Sequence, residues 1–318
     1  MVDLEYLGTE KPVSAMRPLL SVRLLTYNHH RYIRQCIDSV LMQVTDFPFE
    51  IVIGEDDSTD GTRTICKDYA DRYPDRIRLM LRSERNKIIL NGVKTSRYNF
   101  IETMKDCRGK FVALMDGDDY WTDSRKLQQE VDFLSRHPSF VLAFHNASHA
   151  NAKGGIVGRS VLSAKQKRDV SQYELQQAWG PPVTSTLCFR NVIHQFPEEF
   201  LEAMNGDVFL ISLLGEYGSG KYLSSITPSV YRLHPRSMFS ALPAIKGIDF
   251  ARLTFFHMAK YYRRVGNLEL SDYFETKEKR LAAIVRVPWR RFFFQLKRSL
   301  YLFQLHYTHD RIRRFFKK

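Results

Sequence analysis

Residues 111–121 read FVALMDGDDYW. Five apolar residues stop abruptly at Asp116, and three carboxylates, Asp116, Asp118 and Asp119, fall within four residues. A short apolar run with a polar end reads as a buried strand. Packed carboxylates repel one another and lose hydration on burial, so a cluster of them needs something to hold. A solvated turn, with Asp123 or Ser124 capping the next helix, is the plain alternative. The aromatic pair Tyr120-Trp121 and the position at a strand end speak against it.

The same grammar repeats upstream. LLSVRLLTYN (19–28) and FEIVIGEDDS (49–58) are apolar runs with polar ends, and RIRLMLRS (76–83) is a third strand. Between them, RYIRQCIDSVLMQ (31–43) spaces its apolar residues as an amphipathic helix does. STDGTRTICKDYADRYP opens on a helix-start signal at Ser58 or Thr59, and TSRYNFIETMKDC reads as a helix. Strands alternating with helices at this pitch predict a mostly parallel sheet. In such sheets ligands bind beyond the carboxyl ends of the strands. Thr26-Tyr27-Asn28, Glu55-Asp56-Asp57 and Asp116 to Asp119 all end strands, so one edge should gather them.

Downstream, KLQQEVDFLSRHP reads as a helix and SFVLAFHNASH as one strand. Residues 151–172 read as a polar surface loop, and PPVTSTLCFRN (181–191) as a strand. GDVFLISLLGEYG (206–218) is an apolar helix with Asp207 in its first turn, and the strands of 221–240 should end at His234. Long helices follow from 245.

The 318 residues carry a formal charge of +13. Residues 245–318 hold 18 Lys and Arg against 6 Asp and Glu, while residues 1–244 hold 30 against 29. The charge therefore belongs to a C-terminal appendage, and without a nucleic-acid motif it does not indicate a nucleic-acid partner. Four widely spaced cysteines, Cys36, Cys66, Cys107 and Cys188, exclude a CxxC zinc cage and suit a reducing compartment. The opening MVDLEYLGTEKPVS lacks the apolar segment of a signal peptide, and no run of about 18 apolar residues occurs.

Magnesium and manganese prefer oxygen ligands and commonly bind one or two carboxylates plus substrate phosphates. The sequence has neither GxGxxG nor GxxxxGK[ST]. A bound nucleotide diphosphate would need another source of positive charge, and a cation on the Asp cluster fits. Asp56 has two open readings. It either favours the positive end of the next helix or accepts from a nucleobase N–H while Tyr27 packs on the base.

SVRLLTYNHHRYIRQCIDSVLMQ, EIVIGEDDSTDGT, SRYNF and FVALMDGDDYW, in that order, resemble the family 2 glycosyltransferases. FRN (189–191), NGDVFLISLLGEYG and VYRLHPRSMFS extend the resemblance over about residues 19–240. It implies a GT-A fold: an α/β, mostly parallel sheet flanked by helices, here with a C-terminal helical extension. The implied organisation is a leader over 1–18, a GT-A domain over 19–244 and a basic, aromatic-rich extension over 245–318. The implied activity is inverting transfer of a sugar from a nucleotide-diphosphate donor, with a UDP-sugar favoured. A glycan or lipid-linked hydroxyl would be the acceptor, in cell-surface polysaccharide assembly.

Carried over by motif, Tyr27 would stack on the donor base, Asp56 would bond it, and Asp116 and Asp119 would hold the donor. Asp118 would hold a Mn or Mg ion, and Asp207 would be the general base. Arg97 faces the phosphates in this reading or is a helix-surface charge. His234 is a further metal ligand or bonds a loop carbonyl. Asp207 could instead serve only the helix dipole. Two departures stand out: Glu55-Asp56-Asp57-Ser58 replaces Asp-Asp-Gly-Ser, and Gly206-Asp207 replaces Glu-Asp. The alternative is a non-catalytic GT-A-like module that binds nucleotide or glycan.

In the tail, RVPWRRFFFQLKRSLYLFQLHY (286–307) places aromatic and apolar residues on roughly one helical face with basic residues beside it. Residues 286–318 either lie on an anionic membrane surface or pack on the catalytic domain. The expected location is cytoplasmic, peripheral on the inner face of the membrane in the first case.

Overall fold

The computed structural model describes residues 3–8, 15–179, 183–235 and 244–286. The described chain runs β1 (Leu4–Tyr6), β2 (Leu20–Thr26), α1 (Ile33–Leu41), β3 (Phe49–Glu55), α2 (Thr62–Arg72), β4 (Ile77–Leu81), β5 (Ile88–Leu90), β6 (Val93–Thr95), α3 (Arg97–Asp106) and β7 (Phe111–Asp116). It continues with α4 (Lys126–Arg136), β8 (Phe140–Phe144), β9 (Ala147–Asn151), β10 (Ile156–Gly158), α5 (Gln172–Gln176), β11 (Cys188–Arg190), α6 (Glu198–Glu202) and α7 (Gly206–Leu214). β12 (Ser219–Tyr222), β13 (Ser229–Leu233), α8 (Ala244–Arg264) and α9 (Leu268–Arg286) complete it.

The chain forms two units. The first comprises residues 1–170, 182–194 and 217–233, and the second comprises 171–181, 195–216 and 234–318. The first unit is built on a sheet in the order β1-β4-β3-β2-β7-β11-β8-β12. β4, β3, β2 and β7 are mutually parallel, as the strand–helix alternation predicts. β11 runs antiparallel to both its neighbours, making the sheet mixed. β1 lies within the stretch read as a leader and pairs antiparallel with β4.

Every residue of β2 and β3 is buried. Strands covered on both faces are mostly apolar, and the charged Glu50 buried in β3 is paired, with Ser21 Oγ donating to it at 2.7 Å and Arg108 at 2.6 and 3.0 Å. Ile33, Cys36, Ile37 and Val40 of α1 join α2 and α4 residues in the core on one face. On the other face α3 packs against β2 and β3. There Asn99 donates to the Gly54 carbonyl at 2.9 Å, and a Cβ at Gly54 would lie 2.3 Å from Asn99 Oδ1. Only glycine permits that approach.

Several boundaries differ from the sequence reading. The strand expected over SFVLAFHNASH is two: β8 stays in the main sheet, while β9 leaves it for the sheet β10-β9-β13. Asn146 marks the break, since its side chain accepts from Leu162 N–H and bonds Ser160. The loop expected over 151–172 contains β10, and only Cys188–Arg190 of 181–191 is strand. Helix α2 begins at Thr62 rather than Ser58 or Thr59. Those two residues are engaged elsewhere: Ser58 Oγ accepts from Asn28 N–H and Thr59 N–H donates to Asn28 Oδ1, each at 2.9 Å.

The described elements of the second unit are helices. α7 is apolar nearly all round, and all its residues but Asp207 are buried. Such a helix belongs in an interior. Thr254 Oγ1 of α8 accepts from the Asn205 N–H at the start of α7, and Arg264 forms a two-pronged pair with Glu199 of α6 at 2.8 and 2.9 Å. α8 and α9 pack on each other along their length and share the Arg252–Glu278 pair. No described helix is long and apolar enough to cross a membrane. Beyond Arg286, the amphipathic tail lies outside the described residues.

Candidate functional site

The parallel pairing of β3, β2 and β7 sets Thr26 beside Glu55 and Leu25 beside Asp116. The three polar clusters therefore emerge together at one sheet edge of the first unit. The turn after β7 is held firmly. Gly117 N–H donates to the Leu25 carbonyl at 2.8 Å, and Tyr120 exchanges backbone bonds with Val230 of β13. Trp121 is buried, and its Nε1–H donates to the Ser185 carbonyl at 2.7 Å. The aromatic pair thus anchors the acidic turn.

The three acids differ in setting. Asp116 and Asp118 are half-buried and Asp119 is buried. Asp119 Oδ1 accepts from Arg232 N–H at 3.0 Å, and the Asp118 carbonyl accepts from Arg232 Nε at 2.8 Å. Arg232 also donates to Gln35 and sits over the rings of Tyr32 and Tyr120, 4.7 and 5.2 Å away. Burial, followed by repulsion from Asp118 and Asp116, pushes the Asp119 carboxyl well above the usual carboxylate range. Arg232 is a site residue the sequence did not reveal, because only the fold brings β13 to the acidic turn.

His29 is a second such residue. Asn28 turns through the left-handed region (φ 56°), and His29 then faces the end of β7. Its Nδ1 lies 3.3 Å from Thr26 Oγ1 and its Nε2 lies 3.8 Å from Asp118 Oδ2. A carboxylate oxygen and an imidazole nitrogen at this spacing are a suitable beginning for a divalent-cation site, since both donor types serve first-row metals.

At the end of β3, Asp56 is buried and its N–H donates to the Thr26 carbonyl. Its neighbours are already paired. Arg63 bonds the Glu55 carboxylate and lies 3.1 Å from Asp57, and Asp57 Oδ2 accepts from Glu84 N–H at 2.9 Å. The extra acid at position 57 thus ties down the segment at 84. Tyr27 is 41% exposed, and Lys87 Nζ lies 3.4 Å from its ring centre. Lys87 also lies 2.7 Å from Glu84 and 3.9 Å from Asp56. Arg97, the first residue of α3, is buried rather than a charge on an exposed helix face.

Burial pushes the Asp56 carboxyl up to about 7, with Lys87 opposing the shift. The folded chain therefore binds this proton more tightly than the unfolded chain, where the value is near 4. Its contribution to stability is full below pH 4 and is lost as pH rises through 7. Asp56→Asn should raise unfolding stability by about 2 kcal/mol at pH 8 and by far less at pH 4. Denaturant titrations at the two pH values check this, and an equal difference at both would contradict it.

The second unit holds the remaining two candidates. Asp207 is half-buried in the first turn of α7, with its Oδ1 accepting from Val208 N–H at 2.9 Å. His234 is buried and follows Leu233, the last residue of β13, by one peptide bond.

The sequence pattern of glycosyl transferase family 2 matches residues 21–195, more than half the chain. Chondroitin synthase of Escherichia coli is 34% identical over 219 residues, 66% of this chain and 28% of that protein. The chain spans about a quarter to a half of the length of the curated relatives it matches. Among solved structures, S. aureus TarS 1-349 in complex with UDP-GlcNAc superposes with a TM-score of 0.57 at 19% identity, covering 85% of this chain and 76% of that 1-349 chain. The mannosyltransferase PcManGT from Pyrobaculum calidifontis, in complex with GDP-Man and Mn2+, gives 0.52 at 17% identity, covering 95% and 85%. At these identities the likeness is one of fold, and that fold is GT-A. With its ordered strand-end motifs and this family match, the chain belongs to glycosyl transferase family 2.

Proposed function

We propose that the protein is an inverting, metal-dependent glycosyltransferase that moves a hexosyl or N-acetylhexosaminyl group from a nucleotide-diphosphate donor, a UDP-sugar in the first instance. The acceptor is a hydroxyl of a glycan or lipid-linked glycan in cell-surface polysaccharide assembly. The observation that carries this reading is the register of β3, β2 and β7, which brings Tyr27, Asp56, Asp116 and Asp118 to one edge. Tyr27 and Asp56 receive the base, and entry of the base over the Lys87-covered face of Tyr27 requires Lys87 to move. Asp116 and Asp119 shape the ribose and diphosphate side, with Arg97 facing the phosphates.

Asp118 and His234 would hold the divalent cation, Mn or Mg. When bound, the cation supplies the Lewis acid that neutralises the diphosphate as it leaves. Asp207 takes the proton of the acceptor hydroxyl as that oxygen attacks carbon 1, and the configuration inverts because no covalent enzyme intermediate forms. The GT-A domain spans 19–244. The basic extension over 245–318 brings it to the anionic inner face of the membrane, where a lipid-linked acceptor lies.

The test is titration with UDP, dTDP and GDP, with and without Mn2+, followed by nucleotide release from the corresponding sugars. UDP-GlcNAc and GDP-Man are natural first donors, given the ligands of the two structural neighbours. Metal-dependent binding of one nucleotide is expected. Failure with all three would overturn the reading, and binding without turnover of any sugar would mark a binding module instead.

A further inference from the structure

We propose that His29 is a direct ligand of the cation held beside Asp118, and that this nitrogen donor makes the site prefer Mn2+ to Mg2+. The proposal rests on the metal-dependent reading above.

The first support is where the chain puts the ring. Asn28 takes the left-handed turn, and its N–H and side chain are pinned by Ser58 and Thr59. The His29 carbonyl accepts from Tyr32 and Ile33 N–H at 2.8 and 2.9 Å, so the backbone on both sides of the ring is fixed. Thr26 Oγ1, 3.3 Å from Nδ1, orients the imidazole with Nε2 toward Asp118. A histidine ligand whose other ring nitrogen bonds a neighbouring group is the usual arrangement at metal sites.

The second support is the distance. At 3.8 Å, Nε2 and Asp118 Oδ2 are too far apart for a hydrogen bond. Two donors each about 2.1 Å from one ion, at ordinary coordination angles, stand roughly 3 to 3.6 Å apart. A few tenths of an ångström of side-chain adjustment closes the gap.

Gly117 supplies the third. A Cβ there would lie 2.8 Å from His29 Nδ1 and 2.7 Å from Thr26 Oγ1. The middle residue of Asp116-Gly117-Asp118 must therefore lack a side chain for the Thr26–His29 pair to lie where it does. The acidic turn and the imidazole are fitted to each other.

The chemical consequence follows from donor type. Mg2+ favours oxygen ligands and keeps its waters, whereas Mn2+ accepts imidazole nitrogen more readily. Removing His29 should weaken Mn2+ and leave Mg2+ nearly untouched.

The experiment uses the full chain with UDP and measures Mn2+ and Mg2+ affinity, together with nitrogen couplings to bound Mn2+ by pulsed electron paramagnetic resonance. His29→Ala is expected to lower Mn2+ affinity about tenfold or more while Mg2+ affinity stays within about twofold. His29→Gln, which keeps a polar group near Thr26, guards against a loss that is merely structural and should show the same fall in Mn2+ preference. His234→Ala should retain a directly coupled nitrogen that the His29→Ala/His234→Ala double variant lacks. Unchanged Mn2+ preference and couplings in both His29 variants would overturn the inference and leave the donor-site reading standing. Absence of any metal-dependent UDP binding in the wild type would overturn both.

Discussion

Asp118→Ala is expected to weaken metal-dependent UDP binding at least a hundredfold, about 3 kcal/mol, while leaving the fold intact. The two halves of this expectation rest on different atoms. The side chain points to His29 and, in the proposed reading, to the cation that neutralises the diphosphate. The backbone is what Arg232 holds, through the Asp118 carbonyl, and an alanine keeps that carbonyl. Truncation at 118 therefore removes a ligand without loosening the turn. Asp119→Ala would be a poorer test, because it strips the acceptor from Arg232 N–H and disturbs the packing of β13 on the turn. Removing the Asp118 charge also relieves part of the repulsion that holds the Asp119 carboxyl high. A carboxyl held high costs stability as pH rises, so the variant without ligand should be as stable as the wild type, or more so, at pH 8. Calorimetric titration with UDP and Mn2+, paired with denaturation of the ligand-free protein, checks both halves. Retained metal-dependent affinity would move the cation site away from Asp118.

The strand ends were legible because each apolar run stops at a polar cluster, and the βα alternation then fixes which ends lie together. The pairing of Thr26 with Glu55 and of Leu25 with Asp116 is the physical content of that pattern. Contacts that cross long stretches of sequence left no such trace. Arg232 reaches Asp119 across 113 residues, and Lys87 covers a tyrosine from another loop. His29 carries no signal of its own in the sequence, because it is the positive-φ turn at Asn28 that sets it beside the end of β7. One missed feature did have a signal. Asn91-Gly92 lies between Ile88–Leu90 and Val93–Thr95, both residues have positive φ, and the pair makes the hairpin β5–β6. An Asn-Gly pair between apolar runs is a strong hairpin marker. The Ser58–Thr59 helix start failed for the opposite reason, because a good local signal was taken over by tertiary bonds to Asn28.

Asp207→Asn is expected to lower kcat by about a hundred- to ten-thousandfold with donor affinity unchanged. Asparagine has the size of aspartate and keeps an oxygen that can accept from Val208 N–H, the bond that Asp207 makes now. What it loses is the charge and the capacity to take a proton. If Asp207 served only the positive end of α7, the substitution would cost about 0.5 kcal/mol of stability and leave turnover unaltered. If it is the general base, stability changes by the same small amount and turnover collapses. The two roles thus predict the same denaturation curve and opposite kinetics, which makes the pair of measurements decisive. Donor binding separates a third possibility: a fall in UDP affinity on Asp207→Asn would assign the carboxylate to the donor rather than to the acceptor hydroxyl. Single-turnover transfer at saturating donor, read beside equilibrium UDP binding, distinguishes all three. The packing of α7 favours a clean result, since every other residue of that helix is buried and α8 holds its first turn through the Asn205–Thr254 bond.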